Sequence, residues 1–264
     1  MYDFIYHRAT SIEGAQAIFK NSEDPVYLAG GMTVLPTMKQ RLANPSDVID
    51  LGKIDGLAGV ERAGNEIVVK SMTTHAEVAS SSAVATAIPA LSVLADSIGD
   101  PHVRNRGTIG GSIASNDPAA DYPAALVGLG GTVVTTSREV VSDDFFTGMF
   151  ETVLEAGELI TAVRFRIPKM AHYMKFANPA SRYALVGVMV AQTDDGIRVA
   201  VTGAAPCVFR MDKMEAALTA DFRPEAIENI TMAADGLNSD IHAGVDYRAH
   251  LVGVMAARAV AACG

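Results

Sequence analysis

The chain has 264 residues, of which 49% are hydrophobic and 19% charged, and its net charge is −9. This length allows one large domain or two modest ones, and the acidic balance argues against nucleic-acid binding, which usually needs a basic face. No apolar run reaches the roughly 18 residues expected of a membrane span, and the start MYDFIYHRATSIEG lacks a basic-then-apolar signal layout. We therefore expect a cytoplasmic protein without a membrane span.

The cysteine and histidine content argues against a metal centre in this chain. Cys207 and Cys263 are the only cysteines, and no C-x-x-C occurs. A standard iron–sulfur cluster needs several ligands, mostly thiolates, so any such cluster would have to lie on a partner protein. The six histidines never pair at the spacing of zinc ligands, and we interpret each as a solvated or core residue.

The first stretch, residues 2–51, predicts a small β-α-β unit. The spacing of apolar residues indicates alternating strands and helices, and Ser11 is suited to cap the first helix. The predicted elements are an initial strand, a helix at about 11–20, a strand at 26–29, a short helix ending at Met38 and a strand at 48–51.

The second stretch, residues 57–168, predicts a mixture of strands and helices. A hairpin is expected to turn near Gly64 and Asn65, and a helix to open near Thr73 and Thr74. The other predicted elements are an apolar helix at about 88–98, a helix at about 119–129 with Pro118 at its start, and strands around Val133 and Val163.

The third stretch begins after Pro168, where a polar segment indicates a boundary. Asp195 and Gly196 tolerate positive φ and predict the turn of a hairpin. Helices are predicted at about 211–218, 224–234 and 246–262, the last with Asp246 as its cap. This α+β tail carries no visible catalytic constellation.

Two glycine pairs are the most informative feature of the sequence: Gly30-Gly31 in LAGGMTVLPTMKQRL and Gly110-Gly111 in RNRGTIGGSIASNDPAADYPA. Glycine permits positive φ and leaves no Cβ in the way, so each pair can bring peptide N–H groups to an anion. Two such turns could hold one pyrophosphate from two sides. The alternative is that each pair is an ordinary turn that closes a strand.

Neither segment fits a common nucleotide signature. A P-loop needs a lysine and then Ser or Thr directly after its last glycine, and the fingerprint G-x-G-x-x-G is absent from both segments. The second segment is nevertheless richer in polar groups than a turn requires. It offers Arg104 and Arg106 as possible phosphate partners, Thr108 and Ser112 as hydroxyls, and Asp121 as an acceptor for a ribose or ribityl hydroxyl.

Both segments resemble, almost residue for residue, the FAD-binding segments of the medium, flavin-carrying subunit of molybdenum hydroxylases, the family of aerobic carbon monoxide dehydrogenase and xanthine dehydrogenase. The resemblance continues through MTTHAEVA, GELITAVRFRIP, YMKFANPASRYALVGVMVA and TGAAPCVFR. It implies an α+β fold with an FAD-binding domain of the PCMH (vanillyl-alcohol-oxidase-like) type in residues 1–168, whose subdomains cover about 1–52 and 53–168. A C-terminal domain of the carbon monoxide dehydrogenase flavoprotein type, with an antiparallel sheet and helices, is expected in residues 169–264.

The resemblance also implies which residues hold FAD. Residues 29–36, here called the first glycine loop, and residues 108–112, the second glycine loop, correspond to the segments that hold the pyrophosphate and the ribityl chain. Asp121 matches an aspartate that contacts FAD, and Tyr183 an aromatic close to the isoalloxazine in carbon monoxide dehydrogenase relatives. Relatives have a leucine and a lysine that contact the cofactor. Leu159 corresponds to that leucine to within one residue, and Lys175 corresponds to the lysine. The implied cofactor residues are Ala29, Gly30, Gly31, Met32, Thr33, Val34, Leu35, Pro36, Gly99, Thr108, Ile109, Gly110, Gly111, Ser112, Asp121, Leu159, Lys175 and Tyr183.

Each of these assignments has a structural alternative. Lys175 could be a solvated strand lysine, Leu159 part of a core, and Tyr183 an anchor at a domain seam. For Asp121 the alternative is a carboxylate that favours a helix N-terminus. We instead expect it about three residues inside its helix, with Asp117 at the capping position.

Two positions depart from the family pattern. Met32 cannot donate a hydrogen bond where relatives often have His, Gln or Thr. Asn116 stands where alanine or another small residue is commoner. Both departures bear on local contacts and not on the choice of FAD.

By resemblance, the chain is the FAD-carrying electron-transfer subunit of a heterotrimeric molybdenum hydroxylase, expected as a dimer of heterotrimers. A large partner would hold the molybdopterin cofactor and a small partner the 2Fe-2S clusters, while FAD here would pass electrons to a quinone, NAD or oxygen. Contact with the inner face of the membrane is expected only through that acceptor. Two other functions stay open: a free-standing FAD-dependent oxidase of the same fold, and a non-catalytic assembly subunit whose FAD is structural.

Overall fold

Four sheets organise the part of the chain that the computed structural model describes, residues 1–263. Three of them follow one another along the sequence, and the fourth is a small two-stranded hairpin. Helices alternate with these sheets, which confirms the predicted α+β class.

The first part contains a three-stranded parallel sheet in the order β1-β3-β2. The Ser11 side chain accepts a hydrogen bond from the Gly14 N–H at 3.0 Å, which confirms the predicted helix cap. The first glycine loop leaves the end of β2, so the parallel sheet sets its position. The elements are β1 (Ile5–Arg8), α1 (Ile12–Asn21), β2 (Pro25–Leu28), α2 (Val34–Lys39) and β3 (Asp47–Asp50).

The second part is built around a five-stranded antiparallel sheet in the order β4-β5-β10-β6-β7. Its buried face packs against helices in one core, to which Val163, Phe165, Leu91 and Leu126 belong. The elements are β4 (Val60–Ala63), β5 (Glu66–Lys70), α3 (His75–Ser80), α4 (Ser82–Ala87), α5 (Pro89–Asp96), α6 (Pro101–Arg104), α7 (Ile109–Ser115), α8 (Tyr122–Gly128), β6 (Thr132–Thr135), β7 (Glu139–Val141), α9 (Ser142–Phe145), β8 (Phe146–Gly148), β9 (Glu151–Thr152) and β10 (Ile160–Arg166).

The third part is a four-stranded antiparallel sheet in the order β11-β12-β13-β14, covered by helices. The predicted hairpin turn lies at Gly196, where Thr193 pairs with it. The core between sheet and helices includes Val188, Val190, Leu251 and Met255. The elements are β11 (Met170–Ala177), β12 (Ala184–Thr193), β13 (Gly196–Thr202), β14 (Phe209–Arg210), α10 (Asp212–Ala220), a 3₁₀ helix (Pro224–Ile227) and α11 (Val245–Cys263).

The predicted start of the helix at 119–129 is wrong, because α8 begins only at Tyr122. The carbonyl groups before it bond to the third part of the chain: Pro118 O accepts from Gly203 N, and Ala120 O from the Thr202 hydroxyl. Those carbonyls are therefore not available for helical bonds. Asp117 accepts from Ala119 N in a local turn, so it does not cap α8.

Two predictions about the C-terminal helices are also wrong. The segment predicted as a helix at 224–234 forms only the short 3₁₀ helix, and Ile230 N bonds three residues back to Ile227 O. Asn229, Ile230 and Thr231 are weak helix formers, which is consistent with this ending. Asp246 lies in the first turn of α11 and does not precede the helix as a cap.

Candidate cofactor site

A cleft of about 530 Å³ lies where the three parts of the chain meet. We call it the central cleft. The first glycine loop, the second glycine loop at the start of α7, and the segment before β12 all line it. The fold therefore brings together segments that are far apart in the sequence. The predicted cofactor residues that line the cleft are Ala29, Gly30, Gly31, Met32, Thr33, Val34, Gly99, Thr108, Gly110, Gly111, Ser112, Asp121, Leu159 and Tyr183.

Four predicted residues do not line the central cleft. Leu35 and Pro36 lie in α2, and Ile109 is fully buried in the core at the start of α7. Lys175 lines a second cavity of about 430 Å³ instead.

The first glycine loop presents a row of free peptide donors. Within residues 1–263, the backbone N–H groups of Gly30, Gly31, Met32 and Thr33 make no hydrogen bond. Gly31 has φ of +78°, a left-handed conformation of the kind that occurs where successive peptide N–H groups bind an anion. The unpaired donors of this loop are therefore suited to an anion.

The second glycine loop uses its peptide donors within the fold. Gly110 N bonds to Ser71 O at 2.8 Å, and Gly111 N bonds to the Thr108 hydroxyl oxygen at 3.1 Å. Ser112 N bonds to Thr108 O, so Thr108 serves as the N-cap of α7. Neither glycine of this pair has a positive φ. The prediction that each pair can use positive φ to bring peptide N–H groups to an anion is therefore wrong for the second pair.

Steric crowding, and not a positive φ, explains why glycine stands at positions 30, 107 and 110. A Cβ atom on Gly110 would lie 2.6 Å from the Ser71 Cβ, and one on Gly30 would lie 1.9 Å from Arg106 O. A Cβ on Gly107 would lie 2.5 Å from the His75 Nε2. Only glycine allows these main chains to approach so closely, and this approach closes one wall of the central cleft.

Asp121 is a buried carboxylate in the wall of the central cleft, with only 4% of its surface exposed. Its Oδ1 accepts a hydrogen bond from the Tyr173 hydroxyl at 2.5 Å, and the Lys175 Nζ lies 3.1 Å away. The Lys175 ammonium also donates to Ser97 O at 3.0 Å. Burial raises the pKa of Asp121, while the ammonium and the hydroxyl oppose this rise by stabilising the charged form.

The expectation that Asp121 lies about three residues inside its helix is wrong: it stands at the N-cap position of α8, although its side chain makes no capping hydrogen bond. Lys175 is buried against Asp121 and is not a solvated lysine. Leu159 both lines the cleft and packs in a small core with Ile49 and Leu51. Tyr183 is half exposed at the cleft, where burial raises its pKa.

The two arginines proposed as phosphate partners do not line the central cleft. The Arg104 guanidinium donates to Ile98 O and Gly99 O, and it lies 3.4 Å from the Asp96 carboxylate. Arg104 therefore anchors the segment before α6. The prediction of a phosphate partner is therefore wrong for Arg104, because the carbonyl acceptors that a turn supplies cannot be inferred from residue types.

His75 and Tyr27 are among several polar residues of the central cleft that sequence reasoning missed. His75 is 5% exposed, and within residues 1–263 its Nδ1 has no hydrogen-bond partner. Burial lowers the pKa of His75 to about 4, so the imidazole is neutral at pH 7. Tyr27 donates its hydroxyl to Gly157 O at 3.1 Å, and burial raises its pKa to about 12. The capping box of Thr74 and Glu77, which fixes the helix after it, was a usable signal for the position of His75.

Comparison with known proteins agrees with this geometry. The family described as the FAD binding domain in molybdopterin dehydrogenase matches residues 2–170. The chain belongs to this family. The recognition drawn from the two glycine segments is thereby confirmed, and FAD is the cofactor of the family.

Relatives of this FAD-binding protein match almost its whole length. The medium subunit of nicotine 6-hydroxylase from Paenarthrobacter nicotinovorans is 37% identical over 98% of this chain and 96% of its own length. The medium chain of carbon monoxide dehydrogenase from Hydrogenophaga pseudoflava is 34% identical over 97% of this chain and 96% of its own. A solved structure of the Hydrogenophaga pseudoflava enzyme superposes with a TM-score of 0.92, covering 99% of this chain and 97% of that one. These relatives are subunits of oxidoreductases.

Residues 1–263 contain neither a cluster suited to a metal ion nor a helix suited to a membrane span. No group of three or more His, Cys, Asp or Glu residues is placed to hold a metal ion. No helix is both long and apolar enough to cross a membrane.

Proposed function

We propose that this chain is the FAD-carrying electron-transfer subunit of a molybdenum hydroxylase. It takes electrons from an iron–sulfur subunit and delivers them to an external acceptor, a quinone, NAD or oxygen. One observation carries the proposal: both glycine loops line the central cleft, and the backbone N–H groups of residues 30–33 have no hydrogen-bond partner among the described residues. Membership of the FAD-binding family identifies FAD as the ligand of this cleft.

The residues present fit FAD in three respects. The free N–H groups of the first glycine loop would hold the pyrophosphate, whose negative charge they complement. Asp121 would accept a hydrogen bond from a ribityl or ribose hydroxyl, because its carboxylate lines the cleft. Tyr183 and Leu159 would flank the rest of the cofactor from the rim and the wall.

The second glycine loop has a different proposed role. The peptide donors of residues 109–112 are already bonded, so Thr108 and Ser112 would contribute hydroxyl groups, and Gly110 would keep the loop close to Ser71. Bound FAD supplies the redox chemistry, while the protein binds it, orients it and limits its contact with water. On this proposal no side chain of the chain acts as a general acid or base on the hydroxylase substrate.

The partners are proposed from the relatives. The matched proteins are named as a medium subunit and a medium chain, which supports an assembly with a small iron–sulfur subunit and a large molybdopterin-binding subunit. We propose a dimer of such heterotrimers in the cytoplasm. The acidic net charge of −9 is consistent with partners other than nucleic acids.

The test separates this function from its alternatives. The isolated chain, loaded with FAD, is mixed anaerobically with carbon monoxide, nicotine and xanthine in turn while the flavin absorbance is followed. We expect no bleaching with any of them, whereas dithionite should bleach the flavin. Bleaching by a substrate alone would favour the free-standing oxidase.

The rate at which the reduced flavin is reoxidised is the second measurement. The photoreduced chain is mixed with a quinone, with NAD and with oxygen, and we expect fast reoxidation by at least one acceptor. Slow reoxidation by all three would instead indicate an assembly subunit whose FAD is structural.

A further inference from the structure

We propose that Tyr173 is a positioning residue of the cofactor site: its hydroxyl, together with the Lys175 ammonium, fixes the orientation of the Asp121 carboxylate at the central cleft. Tyr173 does not line the cleft, so it acts on a bound cofactor only through Asp121. The inference rests on the proposed function, because it assigns a role in holding FAD. It concerns a residue that the sequence did not single out.

The two donors come from one strand of the third part. Tyr173 and Lys175 are alternate residues of β11, so both side chains leave the same face of the sheet. The face points towards Asp121, which lies just before α8 in the second part. The C-terminal part of the chain therefore determines the geometry of a group in the FAD-binding part.

Room for the Tyr173 hydroxyl is provided by a glycine on the neighbouring strand. Gly187 of β12 pairs with Lys175, and a Cβ on Gly187 would lie 2.1 Å from the Tyr173 Oη and 2.9 Å from its Cζ. Any side chain at 187 would displace the hydroxyl from its place beside Asp121. Gly187 is thus required by the hydroxyl and not by its own backbone, which has no positive φ.

The chemistry of the carboxylate explains why two donors matter. A carboxylate accepts hydrogen bonds at both oxygens, whereas its protonated form also presents an O–H donor. Burial favours the protonated form, and each donor at Asp121 counteracts that preference. Removal of the hydroxyl leaves only Lys175, so the carboxylate is less strongly oriented and is protonated at a higher pH. It then becomes a poorer acceptor for a cofactor hydroxyl.

The experiment measures the FAD affinity of the apoprotein by quenching of flavin fluorescence between pH 5 and pH 8. Tyr173→Phe should raise the Kd for FAD about tenfold at pH 7, because the misoriented carboxylate loses the hydrogen bond that it accepts from the cofactor hydroxyl. In this variant the affinity should also begin to fall at a higher pH than in the wild type. Gly187→Ala retains the hydroxyl but displaces it, so we expect the same two changes.

A matched control is available outside the central cleft. The Tyr6 hydroxyl donates to the Asp50 carboxylate at 2.6 Å, and neither residue lines the central cleft. Tyr6→Phe removes the same type of bond and should leave both the Kd and its pH profile unchanged. Circular dichroism of each variant checks that it folds.

The outcomes separate the inference from the proposed function. If the wild-type chain does not bind FAD, the proposed function fails. If it binds FAD and both Tyr173→Phe and Gly187→Ala keep the wild-type Kd and pH profile, the positioning role is wrong while the function stands. A weaker Kd with an unshifted pH profile would also overturn it, because Tyr173 would then act only in packing. If Tyr173→Phe does not fold, Gly187→Ala alone decides by the same criteria.

Discussion

Gly30 lies so close to Arg106 that a Cβ atom on Gly30 would stand 1.9 Å from the Arg106 carbonyl oxygen. The same Cβ would be 2.8 Å from the Cα of Gly107. The first glycine loop therefore packs directly on the chain that leads into the second. The shape of the row of N–H groups in the first loop depends on this contact.

Gly30→Ala is predicted to weaken FAD binding and to destabilise the fold. The methyl group would meet backbone atoms that cannot rotate away, so the loops must separate, at a cost of about 2 kcal/mol or more. We expect a Kd for FAD at least about tenfold higher, measured by fluorescence quenching, and a lower midpoint of urea unfolding.

Gly253→Ala is the matched control. Gly253 lies within α11, and a Cβ there would meet nothing within 4 Å. Alanine is the better helix former by about 1 kcal/mol, so this variant should be more stable than the wild type and should bind FAD equally well. Native FAD affinity and stability in Gly30→Ala would contradict the packing role of Gly30.

His75 is predicted to make the fold sensitive to acid. Burial lowers its pKa from 6.5 to about 4, so the unfolded chain binds a proton on this residue at a pH at which the folded chain does not. The contribution of neutral His75 to the free energy of unfolding is fully present above pH 6.5. It is lost as the pH falls towards 4, by up to about 3 kcal/mol. The free energy of unfolding, measured by urea titration across this range, should follow that slope.

His75→Gln isolates the contribution of this imidazole. The other titrating groups are shared with the wild type, so the difference between the two stability curves reports His75 alone. The wild type should lose more stability than His75→Gln between pH 6.5 and pH 4. Parallel curves would show that His75 titrates normally in the folded chain.

Asn116 is predicted to stabilise the hairpin of β8 and β9. It has φ of +41°, is 1% exposed, and its amide donates to Gly148 O at 2.7 Å and Glu151 O at 2.9 Å. Asn116→Ala loses both bonds and keeps a Cβ in the left-handed region, so we expect a loss of about 2–4 kcal/mol. Asn116→Gly also loses both bonds but removes the Cβ and its strain, so it should cost about 1 kcal/mol less. Urea unfolding at an unchanged m-value measures both, and an alanine variant no less stable than the glycine variant would contradict the strain argument.

Local patterns predicted much of the fold. The helix that Ser11 caps and the hairpin at Gly196 depend on neighbours in the sequence, and both were located to within a residue or two. The start of α8 was misplaced because Pro118 O and Ala120 O bond to Gly203 and Thr202, more than 80 residues away. Such bonds leave no trace in a local pattern.

At the candidate site, too, features that depend on a single position could be predicted, whereas contacts between distant residues could not. The glycine pairs could be found because a steric requirement restricts the residue type at a single position, as at Gly30. The cause of that requirement was misjudged for Gly110, which has no positive φ but packs on Ser71. The contact of Tyr173 with Asp121 could not be predicted, because it joins two parts of the chain across 52 positions.

A crystal structure of the chain with FAD bound tests the cofactor site most directly. We expect the pyrophosphate oxygens within hydrogen-bonding distance of the backbone N–H groups of residues 30–33, and a cofactor hydroxyl donating to the Asp121 carboxylate. A pyrophosphate held elsewhere, with those N–H groups still unpaired, would contradict the proposed site.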